Sequence, residues 1–231
     1  MATQEIKKKQ LKQDVFRKLA WQTILWARRY NRLFLIGSLS FLLLVALGSG
    51  YFFLRFKAEQ KAGALLARAE TFLRWASPAS SQEEKVEEAI KVYQELLERF
   101  PQTRSVEEAF LRLGNLYYHL GRYEEAIDVF KRYLETYPRG SFVFSASLGL
   151  GYAYEGKGNM EEATQIYEQA IKQNPTNPLR PEALLALARI YEVVKKEEAP
   201  RVYEKLIEQY PRSSWAETAY LRLSRLKTIP D

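Results

Sequence analysis

From about Ala58 onward, apolar residues return every three or four positions, and Glu, Lys and Arg fill the positions between. That spacing predicts amphipathic helices, each burying one stripe. No stretch shows the clear apolar–polar alternation of a strand, so an all-α fold is expected. Helix breakers fall at Ser77-Pro78, Phe100-Pro101, Gly121, Tyr137-Pro138, 156–158, Asn174-Pro175 and Tyr210-Pro211. One stretch departs from the pattern. Leu33 to Leu54 holds no charge at all, and as a helix its 22 residues span roughly 33 Å, matching a hydrocarbon core of about 30 Å.

The breakers keep time. Pro101, Pro138, Pro175 and Pro211 are separated by 37, 37 and 36 residues. Eight residues before each proline stands Tyr93, Phe130, Tyr167 or Tyr203, and four before each of these stands Ala89, Ala126, Ala163 or Ala199. A fixed period predicts a solenoid whose units bury their apolar faces only against neighbours. The units fall at about 64–101, 104–138, 141–175 and 180–211. A lone capping helix follows at 213–227.

The unit from Glu107 to Pro138 resembles the tetratricopeptide repeat. That family's marks on helix A match Phe110, Leu113, Gly114 and Tyr117, and those on helix B match Ala126, Phe130 and Pro138. The next unit repeats them at Leu150, Gly151, Tyr154, Ala163, Tyr167, Ala170 and Pro175; the following one keeps Leu187, Ala188, Tyr191, Ala199, Tyr203 and Pro211. The first unit keeps Ala89, Tyr93, Leu96 and Pro101 but lacks the Leu-Gly pair. The resemblance implies a right-handed superhelix of about four helix-turn-helix repeats plus a capping helix. Gly114 and Gly151 are expected to let helices A and B approach, and the aromatics to fill the space between units. The prolines should end each helix B. Pro200 is the exception, expected in the first turn of its own helix. Gly121 and Gly158 are expected as left-handed caps of helix A. His119, just before that turn, reads as an ordinary end-of-helix side chain.

Helix A of each unit lines the concave face of such a superhelix. By register, the exposed inner positions are Glu108, Leu111, Asn115 and Tyr118 in one unit and Ser145, Leu148, Tyr152 and Glu155 in the next. Glu182, Leu185, Arg189 and Glu192 follow, with Arg225 extending the row. Mixed aromatic, aliphatic and charged positions suit an extended or helical peptide. Only Asn115 stands where the family's chaperone-tail clamp needs a polar residue. Leu111, Gly149, Glu182 and Ala186 occupy the other positions, which argues against a cytosolic co-chaperone.

The formal charge of +7 lies at one end. Residues 1–32 hold nine basic side chains (Lys7, Lys8, Lys9, Lys12, Arg17, Lys18, Arg28, Arg29, Arg32) against Glu5 and Asp14, and the remaining 26 basic and 26 acidic groups cancel. The basic pI therefore does not point to nucleic acid. It orients 33–54 as an uncleaved transmembrane helix, with 1–32 cytoplasmic and 55–231 across the membrane. A cleaved signal peptide and a buried core helix are the alternatives. Leu11, Val15, Leu19 and Trp26 form one stripe of the leader, so residues 5–30 are expected either to lie on anionic lipid or only to set topology.

With no cysteine, disulfides, thiolate metal sites and a cysteine nucleophile are excluded. The single histidine cannot form a conventional zinc site without them. No phosphate-cradling loop, His-Glu metal pair or nucleophile elbow is present. The expectation is a non-catalytic protein without cofactor, small-molecule substrate or nucleic-acid partner. It would be a single-pass protein of a bacterial inner membrane with periplasmic or extracytoplasmic repeats. The repeats resemble those of an outer-membrane assembly lipoprotein and of the periplasmic coordinator of the Tol system. The layout is similar to the membrane-anchored ancillary subunit of the Sec translocon. These likenesses imply a scaffold for partner or newly exported proteins; the alternative is a structural subunit of an envelope or cell-division complex.

Overall fold

The computed structural model describes residues 21–22, 24–25, 30–74 and 82–228. The basic leader to residue 20, Trp26, Arg28, Arg29 and the Ser77-Pro78 break lie outside the described residues. The chain divides into two units, 1–57 and 58–231.

The first unit holds the start of α1 (Asn31–Arg74, 44 residues). Its apolar side chains are exposed, Leu39 by 71% and Phe52 by 77%. A core helix of a water-soluble domain hides such residues, so the core-helix alternative is set aside. Among the described residues, one helix is long and apolar enough to cross a membrane, and it is this one. Toward the end of the unit, Arg55 lies 5.9 Å from the Tyr51 ring and Lys57 4.6 Å from the Phe53 ring. Aromatic and basic side chains are grouped in this way at a bilayer surface.

The second unit contains the last turns of α1, then α2 (Gln82–Arg99), α3 (Arg104–His119), α4 (Tyr123–Thr136), α5 (Val143–Lys157), α6 (Met160–Gln173), α7 (Arg180–Val194), α8 (Ala199–Gln209) and α9 (Ser214–Thr228). From α2 onward each helix packs on the next, and α3 also packs on α5 and α7 on α9. Local chemistry sets the ends. The N–H groups of Phe100, Tyr137, Asn174 and Tyr210, each just before its proline, make the last helical bonds, to Leu96, Tyr133, Ala170 and Leu206. Gly121 takes φ +70°; its N–H meets the Tyr118 carbonyl and the Arg122 N–H meets that of Tyr117, the paired bonds of a glycine C-cap. Gly158 repeats this at φ +89°. Pro200 stands in the first turn of α8, and Pro181 does the same in α7.

The core is a row of aromatics between helix pairs. Tyr93, Phe130, Tyr167 and Tyr203 are fully buried, as is Tyr133. Phe130 lies between two glycines. A Cβ on Gly114 would come within 2.6 Å of its ring, and one on Gly149 of the next repeat within 2.5 Å. It is thus a ring, rather than helix backbone, that these glycines admit. Carboxylates join consecutive A helices. Glu59 of α1 accepts the backbone N–H groups of Arg104 and Ser105 at 2.9 and 3.0 Å and the Ser105 hydroxyl at 2.7 Å, capping α3. Glu107 of α3 accepts the Ser141 N–H at 3.1 Å and the Tyr133 hydroxyl at 2.9 Å, just ahead of α5.

Candidate functional site

The register that places residues on the inner face of the A helices also makes them meet across repeats. Tyr118, Glu155 and Glu192 stand 37 residues apart, as do Tyr152 and Arg189. In the structure Tyr118 of α3 faces Tyr152 of α5, ring centroids 6.2 Å apart. One repeat on, Glu155 of α5 receives Arg189 of α7 at 2.8 Å. One further, Glu192 of α7 receives Arg222 of α9 at 3.2 Å. Tyrosines of the B helices approach the same carboxylates from beneath: Tyr167 donates to Glu155 at 3.4 Å, and Tyr203 donates to Glu192. The Tyr152 hydroxyl donates to Glu182 at 2.9 Å.

The A helices are therefore joined by a ladder of rungs between repeats. From α3 to α9 two rungs are ion pairs and one is a pair of rings, and Glu70 of α1 with Arg112 of α3, 3.5 Å apart, adds a third ion pair ahead of them. The aromatic rung is extended by Tyr123, 5.7 Å from Tyr118, and by Tyr167, edge-on to Tyr152 at 5.8 Å. Burial, and then the neighbouring Glu182 carboxylate, push the Tyr152 hydroxyl well above its ordinary range. Burial, with the Glu155 charge behind it, raises Tyr118. Burial opposes the charge of Arg189, but Glu155 more than offsets it. These hydroxyls stay protonated at neutral pH and act as donors.

Of the thirteen expected inner positions, most are half-buried: Glu108, Leu111, Tyr118, Ser145, Tyr152, Glu155, Glu182, Leu185, Arg189 and Glu192. Asn115 and Arg225 are exposed. Leu148 is a correction: only 5% of it is exposed, and it packs in the core with Phe144 and Leu184. The neighbouring repeat covers a position that register within one repeat leaves open. The rung to Glu192 is closed by Arg222, and Arg225, one turn further along the same face of α9, is exposed. Glu108 spends its charge within its own helix, on Arg112 at 3.0 Å. Sequence reasoning missed Tyr123, Arg112 and Arg222. Their signal was contact with the neighbouring helix, which no single unit displays.

The chain matches the family described as tetratricopeptide repeat over residues 81–141, 145–177 and 182–213. It belongs to the tetratricopeptide repeat family. Its repeats are similar to the nearly identical TPR-like repeats of a kinesin-light-chain candidate from Podospora anserina. That structure superposes with a TM-score of 0.57 at 17% identity, over 71% of this chain and 86% of the other. A tetratricopeptide repeat protein from Parabacteroides merdae gives a TM-score of 0.57 at 16% identity, over 73% of this chain and 60% of that one. At such identities the likeness is one of fold: a superhelical stack of helix pairs. No curated protein matches the sequence. Tetratricopeptide repeats are protein-interaction scaffolds and typically not catalytic. Among the described residues, no group of three or more His, Asp or Glu side chains is placed to hold a metal ion.

Proposed function

We propose that this protein is a membrane-anchored scaffold that docks segments of other proteins along the inner face of its repeats. The observation that carries the reading is the Tyr118–Tyr152 rung. It stands where the two later interfaces close with ion pairs, and it leaves half-buried rings on a face whose charges are already matched. Tyrosine offers large apolar area with a polar tip and loses little freedom on binding, which is why it is enriched at interfaces. A docked segment gains most by covering these rings with apolar or aromatic side chains. With Glu155, Arg189, Glu192 and Arg222 already engaged in ion pairs, charge is a minor part of its recognition.

Residues 33–54 are the anchor, the basic leader stays in the cytoplasm, and the repeats work on the other side of a bacterial inner membrane. The charge bias across the span supports that orientation. The leader, 5–30, rests on anionic lipid. Anchoring raises the local concentration of the groove at the bilayer, so modest affinities suffice for clients leaving the membrane. The role closest to this layout is that of the ancillary subunit of the Sec translocon.

The test is Tyr118→Ala and Tyr152→Ala in the full-length protein, purified from membranes in mild detergent. Each variant is expected to lose co-purifying protein while keeping its helical signal. Undiminished co-purification by the double variant would place docking elsewhere.

A further inference from the structure

On the inner face of α5 and α7, Tyr152, Glu155, Glu182, Arg189 and Glu192 all have partners. At the other end of the face, the side chains of Arg74, Tyr93, Asn115 and His119 have no hydrogen-bond or ion-pair partner among the described residues, and they surround one opening. An open cavity of about 530 Å³ is lined by side chains of α1, α2 and α3, among them Glu70, Arg74, Tyr93, Arg112, Asn115 and His119. Tyr93 belongs to the same column as Tyr167 and Tyr203, whose hydroxyls rest on glutamates. The Tyr93 hydroxyl is as deeply buried and has no hydrogen-bond partner. Natural folds rarely leave such a group unmet. The side chains of Asn115 and His119 are exposed at the rim.

The charges at the cavity argue about what enters. Arg112 already faces Glu108 at 3.0 Å and Glu70 at 3.5 Å. Glu70 and Glu108 balance Arg112 and Arg74, so an arriving carboxylate meets no net positive charge to hold it. What is unspent is a hydroxyl donor, a carboxamide, the His119 ring, the Arg74 guanidinium and the free lone pairs of Glu70; the hydroxyl, the carboxamide and Glu70 together match the carbonyl and N–H of an amide. Burial raises the Tyr93 hydroxyl to about 12, with the Glu70 charge adding to it, so it keeps its proton.

We propose that this cavity binds a neutral amide of the docked segment, its carbonyl accepting from Tyr93 Oη and Asn115 Nδ2 and its N–H donating to Glu70. The proposal rests on the inner face being the docking surface. The amide reaches the hydroxyl by parting the long Glu70–Arg112 contact, both of whose side chains are partly exposed. A main-chain peptide group and an Asn or Gln side chain share this chemistry.

Full-length protein in mild detergent, labelled with ¹⁵N at asparagine side chains, is titrated with three blocked amino acids. They are N-acetylglycine N-methylamide, N-acetylglutamine N-methylamide and N-acetylglutamate N-methylamide. The Asn115 signal is expected to move with the glycine and glutamine probes. Tyr93→Phe should weaken both by roughly tenfold, the scale of one hydrogen bond, at unchanged helicity. A stronger response to the glutamine probe assigns a side-chain amide to the site, and equal responses assign the main chain. The proposal is overturned if the glutamate probe binds more tightly than the glutamine probe. It is equally overturned if no probe moves Asn115, or if Tyr93→Phe changes nothing. None of these readings needs a partner protein, so failure here is separable from failure of docking at Tyr118 and Tyr152.

Discussion

Phe130 shows how one ring fixes the spacing between two repeats. It is fully buried, with Gly114 of its own repeat on one side and Gly149 of the next on the other. Burying such a ring stabilises by about 1.5–3 kcal/mol, provided both glycines stay bare. Gly149→Ala is therefore expected to cost roughly 1–3 kcal/mol by overpacking, read as a lower urea midpoint. An unchanged midpoint would mean that the two repeats are more loosely apposed than described. Gly114 was legible in the sequence because its role lies within one unit and the repeat pattern marks it. Gly149 was not, because the ring it admits belongs to the preceding unit, 19 residues back. Leu148 was misread as open for the same reason. Periodicity reports what a residue does inside its repeat and is silent about which neighbour covers it.

Helix ends were the most legible elements, since prolines and glycines act on their own backbone. The joints between helices were not legible. Glu59 lies just after the boundary at Lys57, in a stretch with no repeat signature, yet it caps α3 with three hydrogen bonds. Burial works to raise its carboxyl, but the Ser105 hydroxyl and the N–H groups of Arg104 and Ser105 outweigh that and hold it below the ordinary 4.5. A lowered folded value means the clasp stabilises fully above that ordinary value and fades as pH falls through the folded one. Glu59→Gln is thus expected to lower the melting temperature at pH 7. The gap from the parent should close as the solution is acidified below about pH 4. A gap that does not narrow at all as the pH is lowered below that ordinary value would show that the carboxylate charge is not what holds α3.

At the scale of the molecule, the stack depends on neutral tyrosines held between charged rungs. Burial, with carboxylate neighbours behind it, raises Tyr93 to about 12 and pushes Tyr133, Tyr152, Tyr167, Tyr191 and Tyr203 higher still. In the unfolded chain they ionise near 10. Folding stability from this source is whole below that pH and is lost as pH rises through the folded values. Thermal melts should accordingly hold level from pH 7 to 9 and drop steeply above 10. Melts that stay level to pH 12 would show that these hydroxyls reach solvent. The repeat count and the candidate span could be read from the sequence because both are long-range regularities. The ladder could not, since it exists only between units.

The docking reading is tested most directly by photocrosslinking in living cells from single positions on the two faces of the repeats. A photoreactive phenylalanine is placed at Tyr118, Tyr152 or Leu185 on the inner face and at Asp128, Gln165 or Glu208 on exposed positions of the B helices. Discrete protein adducts are expected from the first three and none from the others. Adducts confined to the B helices, or equal from both faces, would contradict the account.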